Sequence, residues 1–124
     1  FYEPSILYKN IKTNTSKSIL LLLEETVKQG TAKKAYMKEL AVGGKTGTAE
    51  IWSVEDKIYS KDNFFASFAS VFPIDQPKYV MIISIEAPEY NKRWAAESAV
   101  PCAKNIIQDI IFYDKQRNRI NEEA

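Results

Sequence analysis

The segment 41–52, AVGGKTGTAEIW, brings residues that can do chemistry together on a nearly bare backbone. Three of the chain's four glycines lie in it, next to Lys45, Thr46 and Thr48. Lys45 offers a fixed positive charge, and the two threonines offer hydroxyl donors suited to a carboxylate. Gly47 has no side chain to stop an approaching ligand, and a backbone N–H beyond it can point at a developing oxyanion. This set of groups suits an acylated peptide that ends in a free carboxylate.

The same segment permits two other interpretations, a phosphate-binding loop and a purely structural role. Gly44-Lys45-Thr46 looks like the end of a phosphate-binding loop, but that motif needs a glycine at position 39, where the chain has Glu39. A carboxylate there would repel phosphate. Each glycine costs a strand about 0.5–1 kcal/mol relative to alanine, so the three need a reason. A structural reason would be a β-bulge or close packing of the strand under a helix. From the residues alone, ligand binding and a structural role stay equally supported.

Composition limits the chemistry that is open to this chain. Its 124 residues are 45% hydrophobic with a net charge of +1, which indicates one globular domain with no field that favours nucleic acid. Histidine is absent from the sequence, so the usual general base and the commonest metal ligand are both missing. The single cysteine, Cys102, excludes an internal disulfide and is expected to be a buried structural thiol. We therefore expect no metal and no cofactor.

Periodicity and turn residues predict an α+β arrangement of a helix, three antiparallel strands and a helix. The first helix is expected over 15–30, capped by the oxygens of residues 14–16 and stopped by Gly30. The strands are expected over 40–52, 64–72 and 79–86, with a polar loop over 53–63 and a tight connection over 73–77. The final helix is expected over 95–113, with Pro101 in its first turn and a frayed, charged tail. Residues 4–12 read as a short strand or an extended lead-in.

The same patterns predict which side chains are buried. The first helix has a broad apolar face and is therefore expected to be well covered by the rest of the fold. This face comprises Ile19, Leu20, Leu22, Leu23 and Val27. In the second strand, Phe64, Phe68 and Phe72 are expected on one face with Ala66 and Ser70. The near-continuous apolar run of the third strand is consistent with cover on both faces. Trp94 is expected to wedge the final helix against the sheet, and Trp52 to be an ordinary strand aromatic.

A family resemblance adds to this interpretation. Lys45-Thr46-Gly47-Thr48 resembles the K-T-G motif of the serine penicillin-binding proteins and β-lactamases. The longer pattern of GGKTGTAE, FFASFASVFPIDQPKYVMIISIEAP and ESAVPCAKNII resembles the close of the transpeptidase domain in class B, division-type penicillin-binding proteins. The upstream TVKQGTAKKA is similar to the G-T-x-x-x-A segment of that group. The resemblance spans nearly the whole chain and implies a three-stranded part of the family's sheet, flanked by an N-terminal and a C-terminal helix.

The resemblance implies a role for each residue of the motif. Lys45 would lie beside the proton path of the nucleophile and attract the substrate carboxylate, which Thr46 and Thr48 would hydrogen-bond. The backbone N–H of Thr48 would be one oxyanion donor, and Gly47 would keep the strand open. The implied activity is peptidoglycan D,D-transpeptidation by serine acyl transfer, with β-lactam binding, at the periplasmic face of the bacterial inner membrane. The implied partners are D-Ala-D-Ala stem peptides, the remainder of the same transpeptidase domain and other cell-wall synthesis proteins.

The family's nucleophile is missing from this sequence. No serine is followed by lysine three residues later or by asparagine two residues later, so the S-x-x-K and S-x-N motifs are absent. The chain alone is therefore expected to be inactive. Two alternatives stay open: a parent that is a β-lactamase or D,D-carboxypeptidase, and a non-catalytic binding domain. If the family's sheet is cut, strand 79–86 is also expected to expose an apolar edge that promotes self-association.

Overall fold

The computed structural model describes residues 10–122. The helices are α1 (Thr13–Lys28) and α2 (Ala99–Glu122), and the strands are β1 (Gly43–Ser53), β2 (Ile58–Phe72) and β3 (Tyr79–Glu86). Short 3₁₀ turns at Lys33–Ala35 and Tyr90–Lys92 precede β1 and α2. The strands form an antiparallel sheet in the order β1-β2-β3, so the predicted α+β class is confirmed. Most of the predicted lead-in over 4–12 lies outside the described residues.

The ends of α1 differ from the prediction. The helix begins at Thr13, with Lys12 at the N-cap and no capping side-chain hydrogen bond, so residues 14–16 lie inside its first turn and do not cap it. It ends at Lys28, and Gly30 follows the C-cap without a positive φ. A Cβ on Gly30 would lie 2.8 Å from the carbonyl oxygen of Thr26. Glycine is therefore needed there because of space, and not because of a left-handed backbone.

The predicted loop over 53–63 is wrong, because most of it is strand. β1 begins at Gly43 instead of residue 40, and β2 begins at Ile58, which leaves only a short turn over 54–57. Lys57 has a φ of 55° in this turn, and its N–H donates to the carbonyl oxygen of Ser53 at 3.0 Å. Trp52 pairs with Tyr59 beyond an irregularity in the register, and their rings meet edge to face at 5.1 Å. The cross-strand pairing overrides the polar composition that predicted a loop.

Helix α2 starts later and continues further than predicted. It begins at Ala99 instead of residue 95, and residues 94–98 form a turn that leads into it. Pro101 is the third helical residue, where its missing N–H leaves no intrahelical bond unmade, in agreement with the prediction. The charged segment after residue 113 is helical to Glu122 instead of frayed. None of the helices within residues 10–122 has the length and apolar character needed to cross a membrane.

The core lies between α2 and one face of the sheet. That face of β2 is buried as predicted, and it consists of Phe64, Ala66, Phe68, Ser70 and Phe72. The α2 residues in the same cluster are Ala99, Val100, Ala103 and Ile107, joined by Val27 of α1. Phe68 and Phe72 are completely buried, and each such ring contributes about 1.5–3 kcal/mol by leaving water. This packing fixes the orientation of the sheet.

Most of the opposite face of the sheet is bare in the described part of the chain, and the exception is the end with Gly43 and Val71, which are buried. Burial alternates along β3, with Val80 81% and Ile82 68% exposed, so the predicted cover on both faces of this strand is wrong here. Helix α1 is also less covered than predicted, because Ile19 and Leu22 are exposed. The sequence is apolar at these positions, but no described element packs on Val80 or Ile82. The chain therefore presents an apolar sheet face to its surroundings.

Asp114 fastens α2 to the start of β3. Its carboxylate accepts a hydrogen bond from the Tyr79 hydroxyl and forms ion pairs with Lys78 and Arg117. The hydrogen bonds from Lys78 and Tyr79 lower the pKa of Asp114, and the bond to Asp114 raises the pKa of Lys78. The carboxylate's contribution to stability is complete above its unfolded pKa of about 4, and it disappears as the pH falls through the lowered folded pKa.

We expect Asp114→Asn to lower the Tm of the intact protein by a few degrees at pH 7, because it removes one charge of this cluster. The difference from the unaltered protein should shrink as the pH falls below about 4, because Asp114 is protonated first in the unfolded chain and then, at its lowered pKa, in the folded protein. Thermal unfolding followed by circular dichroism at several pH values tests this. Asp109→Asn, on an exposed residue of the same helix, is the control. An equal loss in both variants, or a loss that does not depend on pH, would contradict the assignment.

Candidate functional site

The segment Lys45–Thr48 lies on β1, at an edge of the sheet. β1 pairs with β2 on one side, and no described strand pairs with its other side. Lys45 and Thr48 are exposed, and Thr46 and Gly47 are half-buried. An edge strand of this kind offers unpaired N–H and C=O groups to a ligand or to another chain. The four residues singled out from the sequence are therefore accessible and contiguous.

Strand alternation divides these four residues between two faces. Thr46 and Thr48 lie opposite Phe68 and Ala66 of β2, which puts them on the face that packs against α2. Lys45 and Gly47 lie on the bare face. The Lys45 ammonium nevertheless returns to the edge, where Nζ donates to the carbonyl oxygen of Thr46 at 2.8 Å. The Lys45 ammonium thus lies beside the backbone of Thr46, although the Lys45 and Thr46 side chains leave the strand on opposite faces.

Both hydroxyls of the segment have partners from outside the sheet. The Oγ1 atoms of Thr31 and Thr46 are 2.7 Å apart, and either can be the donor. Thr48 Oγ1 accepts a hydrogen bond from the backbone N–H of Ala95 at 3.3 Å. The segment after α1 and the turn before α2 therefore both contact β1, through Thr31 and through the backbone of Ala95. Neither Thr31 nor Ala95 was singled out from the sequence as a site residue; the only signal was that Thr31 lies in the GTAKKA stretch.

The backbone of β1 alternates between its two sides in the same way. The carbonyl of Gly44 accepts from the Thr26 hydroxyl of α1, and the carbonyl of Thr46 accepts from Lys45. Both donors are side chains outside the β-ladder. Since backbone groups of every second residue point to the same edge of a strand, the N–H of Thr48 is also directed to the open edge. The carbonyl of Gly47 accepts instead from the Ser67 hydroxyl of β2, at 3.4 Å.

The three glycines of the segment are required to different degrees by the space around them. A Cβ on Gly44 would lie 2.5 Å from the ring of Phe68 and 2.6 Å from the carbonyl oxygen of Ala69. A Cβ on Gly43 would lie 2.5 Å from the side chain of Ile74 and 3.0 Å from Leu23. These two glycines are therefore required by packing. A Cβ on Gly47 would meet only Ser67 Oγ, at 2.7 Å, so the constraint there is one movable hydroxyl.

A shallow groove continues from Thr48 along β1. Its lining residues are Thr48, Ala49, Glu50, Tyr59, Phe64 and Trp94. Trp94 is 52% exposed with its ring 6.4 Å from that of Phe64, so it borders this groove, and the prediction that it wedges α2 against the sheet is wrong. Trp52 is 49% exposed and packs on Tyr59 as an ordinary strand aromatic, as expected. Cys102 is half-buried, less enclosed than expected.

Comparison with known proteins gives this geometry a family. Residues 3–108 match the family described as the penicillin binding protein transpeptidase domain. A peptidoglycan D,D-transpeptidase FtsI homolog of Chlorokybus atmophyticus is 33% identical over 106 residues, which cover 86% of this chain and 16% of that protein.

Solved structures agree with the sequence comparison. The transpeptidase domain of the FtsI4 D,D-transpeptidase from Legionella pneumophila is 32% identical with a TM-score of 0.68, covering 82% of this chain and 37% of that one. Penicillin binding protein 3 of Mycobacterium tuberculosis, in complex with ampicillin, is 25% identical with a TM-score of 0.73, covering 85% of this chain and 25% of that one. The chain spans less than a fifth of the length of the curated relatives it matches. It belongs to the penicillin-binding protein transpeptidase family and corresponds to part of such a domain.

Proposed function

We propose that this chain is the C-terminal part of the transpeptidase domain of a class B penicillin-binding protein, a peptidoglycan D,D-transpeptidase. Its β1 strand would bind the acyl-D-alanine donor and β-lactams. The observation that carries this proposal is the accessible Lys45–Thr48 segment at an open sheet edge, in a chain that belongs to the family. Ampicillin in the solved Mycobacterium tuberculosis relative supports β-lactam binding as part of the proposal.

The carboxylate of the donor is bound by one ammonium and two hydroxyls. Lys45 Nζ has a carbonyl partner, and no carboxylate within residues 10–122 forms an ion pair with it, so its charge is available to an anion. Charge-assisted hydrogen bonds of this kind are about twice as strong as neutral ones. Thr46 and Thr48 add hydroxyl donors, and together the three groups select a ligand with an anionic end.

The reaction itself needs groups from elsewhere in the intact protein. A serine outside this chain attacks the D-Ala-D-Ala carbonyl, the terminal D-alanine leaves, and the amine of a neighbouring stem peptide then takes the acyl group from the serine ester. The N–H of Thr48 donates to the oxyanion that forms during each attack. Since S-x-x-K and histidine are both absent from this sequence, the chain alone has no activated nucleophile and is inactive.

The remainder of the transpeptidase domain is the partner proposed to cover the bare face of the sheet. Phe65, Val80 and Ile82 are exposed on one side of the sheet, and large exposed apolar side chains grouped on one face favour an interaction site. The chain covers 37% of the solved Legionella pneumophila domain, so most of such a domain is available to cover that face. The proposed location is the periplasmic face of the bacterial inner membrane, together with other cell-wall synthesis proteins.

Labelling of the full-length parent with fluorescent penicillin tests the function. We expect Lys45→Ala or Thr48→Ala to slow acylation about ten- to a hundredfold, as loss of a charge-assisted contact of about 1.5–3 kcal/mol implies. Lys61→Ala, on an exposed lysine of β2, is the control. Normal labelling and turnover in both site variants would overturn the proposal. Rapid release of the label from the unaltered protein would instead identify a hydrolase.

The two kinds of glycine give a second test. We expect Gly44→Ala to destabilise the intact protein, because the added Cβ collides with Phe68 and with backbone. Gly47→Ala should keep the fold, since only the Ser67 hydroxyl has to rotate, and should slow penicillin acylation through the narrower space beside the strand. Thermal unfolding and labelling rates of both variants check this. A destabilised Gly47→Ala with normal acylation rates would contradict a ligand-facing role.

The bare face predicts the behaviour of the isolated chain. With Val80 and Ile82 exposed on an edge strand, the 124-residue chain should self-associate in solution. Replacing both residues by lysine should reduce association, because like charges oppose edge-to-edge pairing. Sedimentation velocity over a range of concentrations measures this. A stable monomer of the unaltered chain at high concentration would contradict the prediction.

A further inference from the structure

We propose that Thr31, together with the Lys34–Glu97 ion pair, positions the hydroxyls of Thr46 and Thr48 for an anionic ligand. This proposal rests on the proposed function and adds positioning residues to its carboxylate site. Thr31 would act through Thr46 and not on the reacting atoms.

The contact between Thr31 and Thr46 sets the direction of one hydroxyl. Their oxygens are 2.7 Å apart, and both hydroxyls lie near the surface of the molecule. A threonine hydroxyl has one hydrogen to donate and two lone pairs. If Thr31 donates to Thr46, the hydrogen of Thr46 is free to point at a carboxylate. An anion at the edge of β1 favours this direction, since hydrogen bonds in a chain polarise one another.

Thr48 is oriented by a backbone group. The N–H of Ala95 can only donate, so Thr48 Oγ1 must accept in this 3.3 Å contact. The hydrogen of the Thr48 hydroxyl is then left to donate elsewhere. If Thr31 is the donor in its contact with Thr46, both hydroxyls of the segment accept a hydrogen bond, and each keeps its own hydrogen to donate to an anionic ligand.

The two supporting segments are joined to each other and to the core. Lys34 and Glu97 form an ion pair across 63 positions of the sequence, between the turn after α1 and the turn before α2. Ala32 and Ala35 are completely buried, and Ala95 is 2% exposed. The backbone that carries Thr31 and the Ala95 N–H is therefore anchored in the core. The exposed Lys34–Glu97 ion pair joins the two segments that contact β1.

The experiment compares two ligands that differ in charge at one group. Acylation rates of the full-length protein are measured with a penicillin and with its methyl ester, which lacks the carboxylate. We expect Thr31→Val to slow acylation by the acid about three- to tenfold, the range of one lost hydrogen bond, and to leave the slower reaction of the ester unchanged. Thr31→Ser should restore the rate with the acid. Thr15→Val, on an exposed threonine of α1, is the control.

Glu97→Gln gives a second readout with an informative sign. Removing a negative charge near the site should speed reaction with an anion if only long-range electrostatics operates. Loss of the Lys34–Glu97 ion pair should instead slow reaction with the acid and leave reaction with the ester unaffected, and this is the result we expect. An equal fall for both ligands in Thr31→Val, or a rise with the acid in Glu97→Gln, would overturn the proposal. An unaltered protein that takes no penicillin label would defeat the proposed function itself.

Discussion

The one-sided pairing of β1 is the constraint on which the site depends. β2 satisfies one edge of this strand, and side chains from α1 and from Lys45 reach carbonyls on the other edge. A second strand on that edge would fill it with backbone hydrogen bonds and leave no room for a ligand. For the proposed function, the open edge has to be protected from pairing with other chains while it stays accessible to a peptide. The charge of Lys45 serves both needs, because lysine on an edge disfavours strand addition and attracts a carboxylate.

The packing of β2 against α2 holds this edge in place. Gly44 lets the strand approach the ring of Phe68, which is completely buried, so β1 is tied to the core immediately before the exposed residues begin. The change from buried to exposed therefore occurs between Gly44 and Lys45. A rigid support next to an accessible segment limits the motion of the groups that meet the ligand. The glycine-rich composition thus combines a packing requirement at its start with an open surface at Gly47.

The sequence predicted the sheet and the site segment better than it predicted the surroundings. Alternation along Phe64–Phe72 identified the buried face of β2, because a half-buried strand has a period of two. The strand residues within 53–63 were missed because the segment is mostly polar, and the pairs that form the hairpin there, Ser53 with Ile58 and Trp52 with Tyr59, leave no clear local pattern. The exposed face of β3 was missed for the opposite reason: Val80 and Ile82 are apolar, but no described element packs on them. Contacts such as Thr31–Thr46 depend on tertiary structure and leave no local pattern.

The division of the motif between two faces bears on how the proposed ligand would approach the strand. A molecule lying on the bare face would meet Lys45 and Gly47 but neither hydroxyl, and one on the other face would meet the α2 core. The proposed ligand therefore lies along the edge, beside the Lys45 ammonium and the N–H of Thr48, with the hydroxyls of Thr46 and Thr48 on one side of it. An extended peptide that runs beside β1 offers backbone groups at the strand repeat and an anionic end at the ammonium. Under the proposed function, the alternation that separates these side chains is what would select a strand-like ligand with a terminal carboxylate.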